Sequence, residues 1–454
     1  MFFAWEKEPI LQKASAGTEG LDAGEHSFCF SVYALATLSL SDPECQALLA
    51  ASRESTLRTL QLATEAALRS ANYVSTRSLL VVQALTMYML SMRNRARPAT
   101  LFTLLGVILR ISQRIGIHRD GDILGLPVVK AEERRRTWWQ IQYLEISISQ
   151  LIGCISITLY AGWDVKLPAN LNDEDFSSDM TTLPPSRVGL TSMSPALWSY
   201  FVLDYTRRMR TPPTSATWII LNDSGPENQA TIYEGYRSML ADRFLQYCEI
   251  LNPLHVLMQI QIQVFLLAMQ RVGAQPNLRS SRISDMPQAN RDKLLAICRK
   301  GMDYYILGET TPALGRFKWN IENYFQWTAI VYILIEAHHR AATREAEGLW
   351  QLISKVCEVH PKLMTAIHFP EVSAVARLAV LAWRERRESW EKGLSGDGSR
   401  EQTLETPWCV DTFQQMLDGG KHSEEGEQVA VDGLDDFDFD LIDWEFWETG
   451  VRAV

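Results

Sequence analysis

An amphipathic helix, a glycine turn and a second helix opening on five consecutive charged residues, all within residues 101–175, constrain this chain more than any other stretch. Leu101, Leu104, Leu105, Ile108, Ile111 and Ile115 share one helical face, with Arg110, Gln113 and Arg114 off it. Gly116 stands where such a helix needs a left-handed closing residue, and His118 and Arg119 beyond it are placed to meet the carbonyls of its last turn. The next helix opens with Glu132-Glu133-Arg134-Arg135-Arg136-Thr137-Trp138-Trp139. Acids before bases suit the helix dipole, Glu132 and Arg136 make an i,i+4 pair, and Arg134 and Arg135 lie within stacking reach of an indole. Neighbouring helical positions point about 100° apart. One tryptophan is therefore read as core and the other as a wedge against a neighbouring helix. Asp120 is either the partner of one of the three arginines or an exposed turn aspartate.

The unit leaves through Leu167-Pro168-Ala169-Asn170-Leu171-Asn172-Asp173-Glu174-Asp175. Taken in order, Gly116-Ile117-His118-Arg119-Asp120, the arginine–tryptophan block and this exit with its Pro168, Asp173 and Asp175 resemble the regulatory middle domain of fungal binuclear-zinc-cluster transcription factors. The resemblance extends to residues 28–41 and 71–92 and to Gly189-Leu190-Thr191-Ser192-Met193, about half the chain. Glu145 stands where that family usually has aspartate, and Gly153-Cys154-Ile155 replaces a more common Gly-Arg-Pro. The resemblance implies a nuclear protein that controls, through RNA polymerase II, a metabolic or secondary-metabolite gene set and is itself controlled through its helical body.

With 454 residues and 46% hydrophobic composition, the chain can bury one large core. Helical spacing recurs over residues 28–40, 47–71, 144–160, 233–250, 254–271, 291–305, 319–340, 350–359 and 372–390. Residues 78–92 are apolar on every face and belong at the centre of a bundle. Residues 168–185 read as irregular and acidic, and Pro184-Pro185 and Pro212-Pro213 bracket further helices. The fold class is all-α: a loosely ordered lead (1–25), a helical regulatory domain (26–392), a linker (393–427) and a disordered acidic tail (428–454). Tyr324, Trp327, Val331, Leu334 and His338 repeat at helical steps, a stripe that marks core before a ligand face. Acids where a signal peptide needs bases argue against secretion. Arg110 and Arg114 interrupt residues 101–117 and four glutamines mark residues 253–270, so no membrane span is expected.

The seven cysteines, Cys29, Cys45, Cys154, Cys248, Cys298, Cys357 and Cys409, are spread singly. A zinc cluster needs closely spaced ligands, so no cofactor is expected in this chain, and the zinc of the family belongs to a module not encoded here. Scattered thiols read as reduced and intracellular. Residues 424–454 carry eleven acids and one base of the chain's 54 and 44, which leaves 43 of each sign elsewhere. A balanced body offers no footprint for DNA, and Arg207-Arg208-Met209-Arg210 reads as a solvated helix end. No Gly-x-Ser-x-Gly elbow, phosphate loop or His-Glu-x-x-His occurs. A terpene-cyclase-like site on Asp435-Asp436-Phe437-Asp438 lacks the later helices that would complete it, so the chain is read as a non-enzyme.

The tail alternates acids with Phe437, Phe439, Leu441, Ile442, Trp444, Phe446 and Trp447. Mutual repulsion keeps such a segment open and its aromatic groups available, the pattern of an activation segment that binds transcriptional coactivators; the alternative is a terminus docked on the body. DNA is reached only through a missing module or a partner. A small-molecule effector between helices and a homodimer are further candidate partners, and a DNA-independent sensor or co-regulator of the same fold is the alternative function.

Overall fold

Side-chain caps set the first helix boundaries. The computed structural model describes residues 4–17, 20–152, 162–208, 226–274, 283, 286–367, 369–394 and 404–420, and no strand occurs among them. The chain divides into two units: Met1–Asp223, Thr231–Ile262 and Pro312–Asn323, and then Ser224–Ala230, Gln263–Thr311 and Tyr324–Val454. The single body expected over residues 26–392 is thus two.

In the first unit, α1 (Ala4–Ala16) occupies the lead expected to be loose. A buried ion pair holds it, because Lys7 Nζ lies 2.8 Å from the Glu133 carboxylate of α7 (Val128–Leu151) and the Lys7 side chain is only 10% exposed. Asp22 and Glu25 close a capping box on α2 (Ala23–Leu38). The single helix expected over residues 47–71 is instead α3 (Asp42–Leu49) and α4 (Arg53–Ser70). Ser41 and Ser52 cap the two, and Ala50 between them turns left-handed at φ 53°. Helix α5 (Leu79–Met92) buries Val81, Val82, Ala84, Leu85, Met87 and Met89, as its all-round apolarity requires, and points Gln83 inward as well. Then follow α6 (Pro98–Arg114), α7, α8 (Ser194–Arg208) and the short α12 (Lys318–Ile321), whereas α9 (Pro226–Arg243) and α10 (Pro253–Ala274) are divided, with residues 231–243 and 253–262 in this unit and the rest in the second. Helix α10 is long and apolar enough to cross a membrane by length and composition, but 67% of its apolar window is buried, as in a core helix.

The second unit contains α11 (Gln288–Thr310), α13 (Trp327–His339), α14 (Glu345–Val359), α15 (Pro370–Leu394) and α16 (Trp408–Gly420). The helix expected over residues 319–340 breaks before Trp327. There Gln326 Nε2 donates to the carbonyl of Val264, and its Oε1 sits where Gly301 leaves room for it. Residues 328–337 of α13 are all buried, Glu336 included. Arg291 binds both Glu336 oxygens at 2.9 and 3.1 Å, and Arg340 and Tyr332 complete its shell. The linker expected over residues 393–427 carries α16, which buries Cys409, Val410 and Phe413. Residues 153–161, including Gly153-Cys154-Ile155, Met209, Arg210, Pro212-Pro213 and residues 421–454 lie outside the described residues.

Docking of α1 has a direct test. Lys7→Ala leaves the buried Glu133 with Lys130 and Gln83 as donors and is expected to cost about 1.5–3 kcal/mol, read as a lower urea midpoint. A midpoint equal to wild type would show that α1 adds nothing to the unit.

Candidate functional site: a buried charged node

Helix α7 is the axis of the site, since residues 132–137 of it reach α1, α5, the end of α6, the turn that follows and the exit segment. Glu133 takes Lys7 from α1 and, at 3.1 Å, Gln83 Nε2 from α5, and Gln83 also donates to Thr137 Oγ1 at 3.2 Å. Arg134 donates to the carbonyl of Ile115 at the end of α6. Arg135 grips Asp120 with Nε and Nη2 at 2.9 and 2.6 Å, and its Nη2 is also 2.6 Å from Asp122 Oδ2. Arg136 binds Asp173 Oδ1 at 2.8 Å and lies over the Phe176 ring. Glu132 Oε1 accepts from Arg136 Nε at 3.3 Å and from the backbone N–H of Ala169 at 3.1 Å.

The turn before α7 brings Asp120 to this node. Gly116 adopts φ 76°, closing α6 left-handed. Gly121 lies so close to α7 that an added Cβ would meet Cα and Cβ of Ala131 at 2.5 Å. Asp120 is wholly buried and accepts two further hydrogen bonds, from the N–H groups of Lys166 at 2.9 Å and Asp122 at 3.1 Å. Burial alone would raise its carboxyl, but Arg135 and these N–H groups outweigh burial and hold it at about 2. Burial pushes Glu132 the other way, up to about 7, against the pull of Arg136 and Arg135.

Several contacts differ from those expected. His118 and Arg119 do not close α6; Arg134 does, and Arg119 Nε reaches Asp164 at 2.7 Å. The His118 ring sits 6.3 Å from that of Trp138. Among the described residues Arg134 and Arg135 stack on no indole, and a carbonyl and a carboxylate are their partners instead. Trp138 and Trp139 are both core, at 1% and 0% exposure. The loop residue Trp163 bridges the angle between them, meeting their rings edge-on at 5.7 and 5.2 Å. Trp139 Nε1 donates to the carbonyl of Lys166 at 2.8 Å. Arg207 is not a solvated helix end: its guanidinium covers Trp163 at 3.7 Å and donates to the Trp163 carbonyl. Arg208 is largely exposed and pairs with Asp204.

The exit segment is fastened in the same way. Pro168 is buried, and Leu171 and Phe176 form a small core with Val129 of α7. Asn170 Nδ2 donates to the carbonyls of Arg187 and Gly189, and its Oδ1 accepts from Thr191 and Ser194. Asn172 Oδ1 accepts from the N–H of Ser192, and Asp175 pairs with Arg187. The four motif segments, far apart in sequence, are therefore one bonded assembly. Sequence reasoning passed over Lys7, Gly121, Asp122, Trp163, Asp164 and Lys166. Gly121 and Asp122 directly follow the turn motif and were the most findable; Trp163 carried no periodic signal. Phe437, Phe439, Leu441, Ile442, Trp444, Phe446 and Trp447 lie outside the described residues.

Chemically, the node pairs its charges with its own segments, which suits a clamp. Among the described residues no group of three or more His, Cys, Asp or Glu is placed to hold a metal. The singly spaced cysteines do not fit the zinc cluster that the family resemblance implies.

Two outcomes test the clamp. Gly121→Ala must push the turn off Ala131 and is expected to cost about 1–3 kcal/mol in chemical denaturation. Gly106→Ala, whose added Cβ meets nothing within 4 Å, is the control and should be neutral or stabilising. A raised carboxyl such as Glu132 contributes stability at low pH that is lost as pH climbs from about 4.5 towards 7. Glu132→Gln removes that loss. The stability difference between variant and wild type should therefore grow in the variant's favour by on the order of 3 kcal/mol from pH 5 to pH 8; a difference flat with pH would refute the assignment.

A family model described as the fungal specific transcription factor domain matches residues 1–256, the range that holds the whole node. Similar curated proteins include the aurofusarin cluster transcription factor aurR2 of Gibberella zeae, 28% identical over 79% of this chain and 53% of that protein. The pyriculol/pyriculariol biosynthesis cluster transcription factor 1 of Pyricularia oryzae is 26% identical over 90% of this chain and 55% of its own length. The C6 finger domain transcription factor adaR of Aspergillus niger is 25% identical over 76% and 46%. The chain spans about half the length of the curated relatives it matches. No solved structure matches it. With more than half of its residues covered by that one family model, the chain belongs to the fungal specific transcription factor domain family.

Proposed function

We propose that this chain is the helical regulatory body of a nuclear, non-enzymatic transcriptional regulator that controls a biosynthetic, secondary-metabolite gene cluster. The observation that carries this reading is the kinship with cluster transcription factors over 79–90% of the chain. DNA contact comes from a zinc-cluster module outside these residues or from a partner, since charge is balanced outside residues 424–454. The acidic–aromatic tail recruits coactivators, with Phe437, Leu441, Trp444 and Trp447 at helical steps as the contacting face. A small-molecule effector acting on the helical body, and a homodimer, belong to the same reading. The balanced charge also favours a second reading, a co-regulator that senses a ligand and never touches DNA.

The full chain fused to an unrelated DNA-binding domain is expected to activate a reporter gene. Alanine at Phe437, Leu441, Trp444 and Trp447 together should abolish activation, whereas asparagine at Asp435 and Asp436 should only reduce it. A silent fusion, or full activity in the alanine variant, would overturn the activator reading of the tail. Deleting the gene and measuring transcripts of neighbouring biosynthetic genes tests the cluster assignment; unchanged transcripts would sink it.

A further inference from the structure

Two thiols from distant parts of the chain meet in the second unit. Cys409 is the second residue of α16, and its sulfur lies 3.6 Å from Ser354 Oγ on α14. Cys357, one turn beyond Ser354 on the same face of α14, is directed at the same first turn of α16 and interacts with the Cys409 thiol. Both cysteines are buried, at 2% and 0% exposure, while Trp408 beside Cys409 is 44% exposed, so this end of α16 reaches the surface. The pair is chemically unequal. The Cys357 hydrogen bond lowers the Cys409 thiol against the effect of burial, helped by Ser354 and by the N–H groups of Cys409 and Val410 in the first turn of the helix. Cys357 is raised, by the neighbouring Cys409 and by burial. Cys298 shows the contrast, since its buried thiol is pushed by burial up to about 12.

We propose that Cys357 and Cys409 are a reversible dithiol–disulfide site, oxidised by a small disulfide of the glutathione class, that locks α16 onto α14. Cys409 is the attacking sulfur. Its thiolate bonds to one sulfur of oxidised glutathione, the glutathione S–S bond breaks, and the departing glutathione takes up the proton that Cys409 released. Cys357 then gives up its proton and attacks Cys409 of the mixed disulfide, and the second glutathione leaves carrying that proton. Two cysteine thiols are thereby oxidised by two electrons, and one glutathione disulfide is reduced to two thiols. Both sulfurs are covered while α16 is docked, so exchange proceeds through local opening of its first turn. The site is independent of the transcriptional reading, and its physical effect is to fix the helix from which residues 421–454 lead.

The test is thiol mapping of the full chain. The protein is equilibrated in buffers of increasing oxidised-to-reduced glutathione ratio, quenched with an alkylating agent, digested and weighed. A linked peptide pair containing Cys357 and Cys409, two hydrogens lighter than its parts, should accumulate with the ratio and vanish with dithiothreitol, while Cys29, Cys45 and Cys298 stay as free thiols. Hydrogen exchange over residues 408–420 should slow on oxidation. Cys357→Ser should stop at a glutathione adduct on Cys409, and Cys409→Ser should give no adduct at Cys357. Free thiols at both positions throughout, linkage to another cysteine, or an adduct forming on Cys357 would each overturn the proposal. The wild-type map decides the matter even where a serine variant fails to fold.

Discussion

The pairing of Arg135 with Asp120 is the constraint on which the first unit depends. Moving two charges out of water costs several kcal/mol each, and their attraction offsets this only when the remaining lone pairs and protons also find partners. Asp120 meets that condition with four accepted hydrogen bonds, two of them from backbone N–H groups on separate segments. The turn after α6, the start of α7 and the loop at Lys166 must therefore arrive together or not at all. Gly121 permits the approach, because any side chain there would hold the turn away from Ala131.

Around this pair the remaining charges act as spokes. Glu133 reaches back to α1 and α5, Arg134 to α6, Arg136 forward to Asp173, and Glu132 to the backbone at Ala169. Opposite tendencies at Asp120 and Glu132, one held near 2 and the other pushed to about 7, follow from the deeper burial of Glu132 and the fuller set of donors around Asp120. Such a node gives a helical domain a defined register that apolar packing alone leaves loose.

The second unit solves a similar problem with different residues. Its central helix α13 is apolar all round, and its one buried carboxylate, Glu336, is closed by Arg291, Arg340 and Tyr332. Helix α16 is held instead by the buried side chains of Cys409, Val410 and Phe413 and by the contact of Cys409 with Ser354.

The amino-acid order by itself determined the all-helical class, the burial of α5, the left-handed close at Gly116 and the resemblance carried by the turn, the arginine–tryptophan block and the acidic exit. These are properties of period, cap and local spacing, which a few neighbouring residues fix. Helical spacing alone runs on over residues 47–71, where Ser52 caps a new helix, and through Phe325-Gln326, where Gln326 bonds Val264 before α13 begins. Partners were decided only in three dimensions. Arg119, Arg134 and Arg135 each had several chemically sound mates, and the choice among Asp164, the Ile115 carbonyl and Asp120 fell to whichever segment the fold brought near. The two tryptophans were expected to part company because a helix turns them away from each other. Only the tertiary structure could supply Trp163, from a loop some two dozen residues on, to fill the angle between them and make both core.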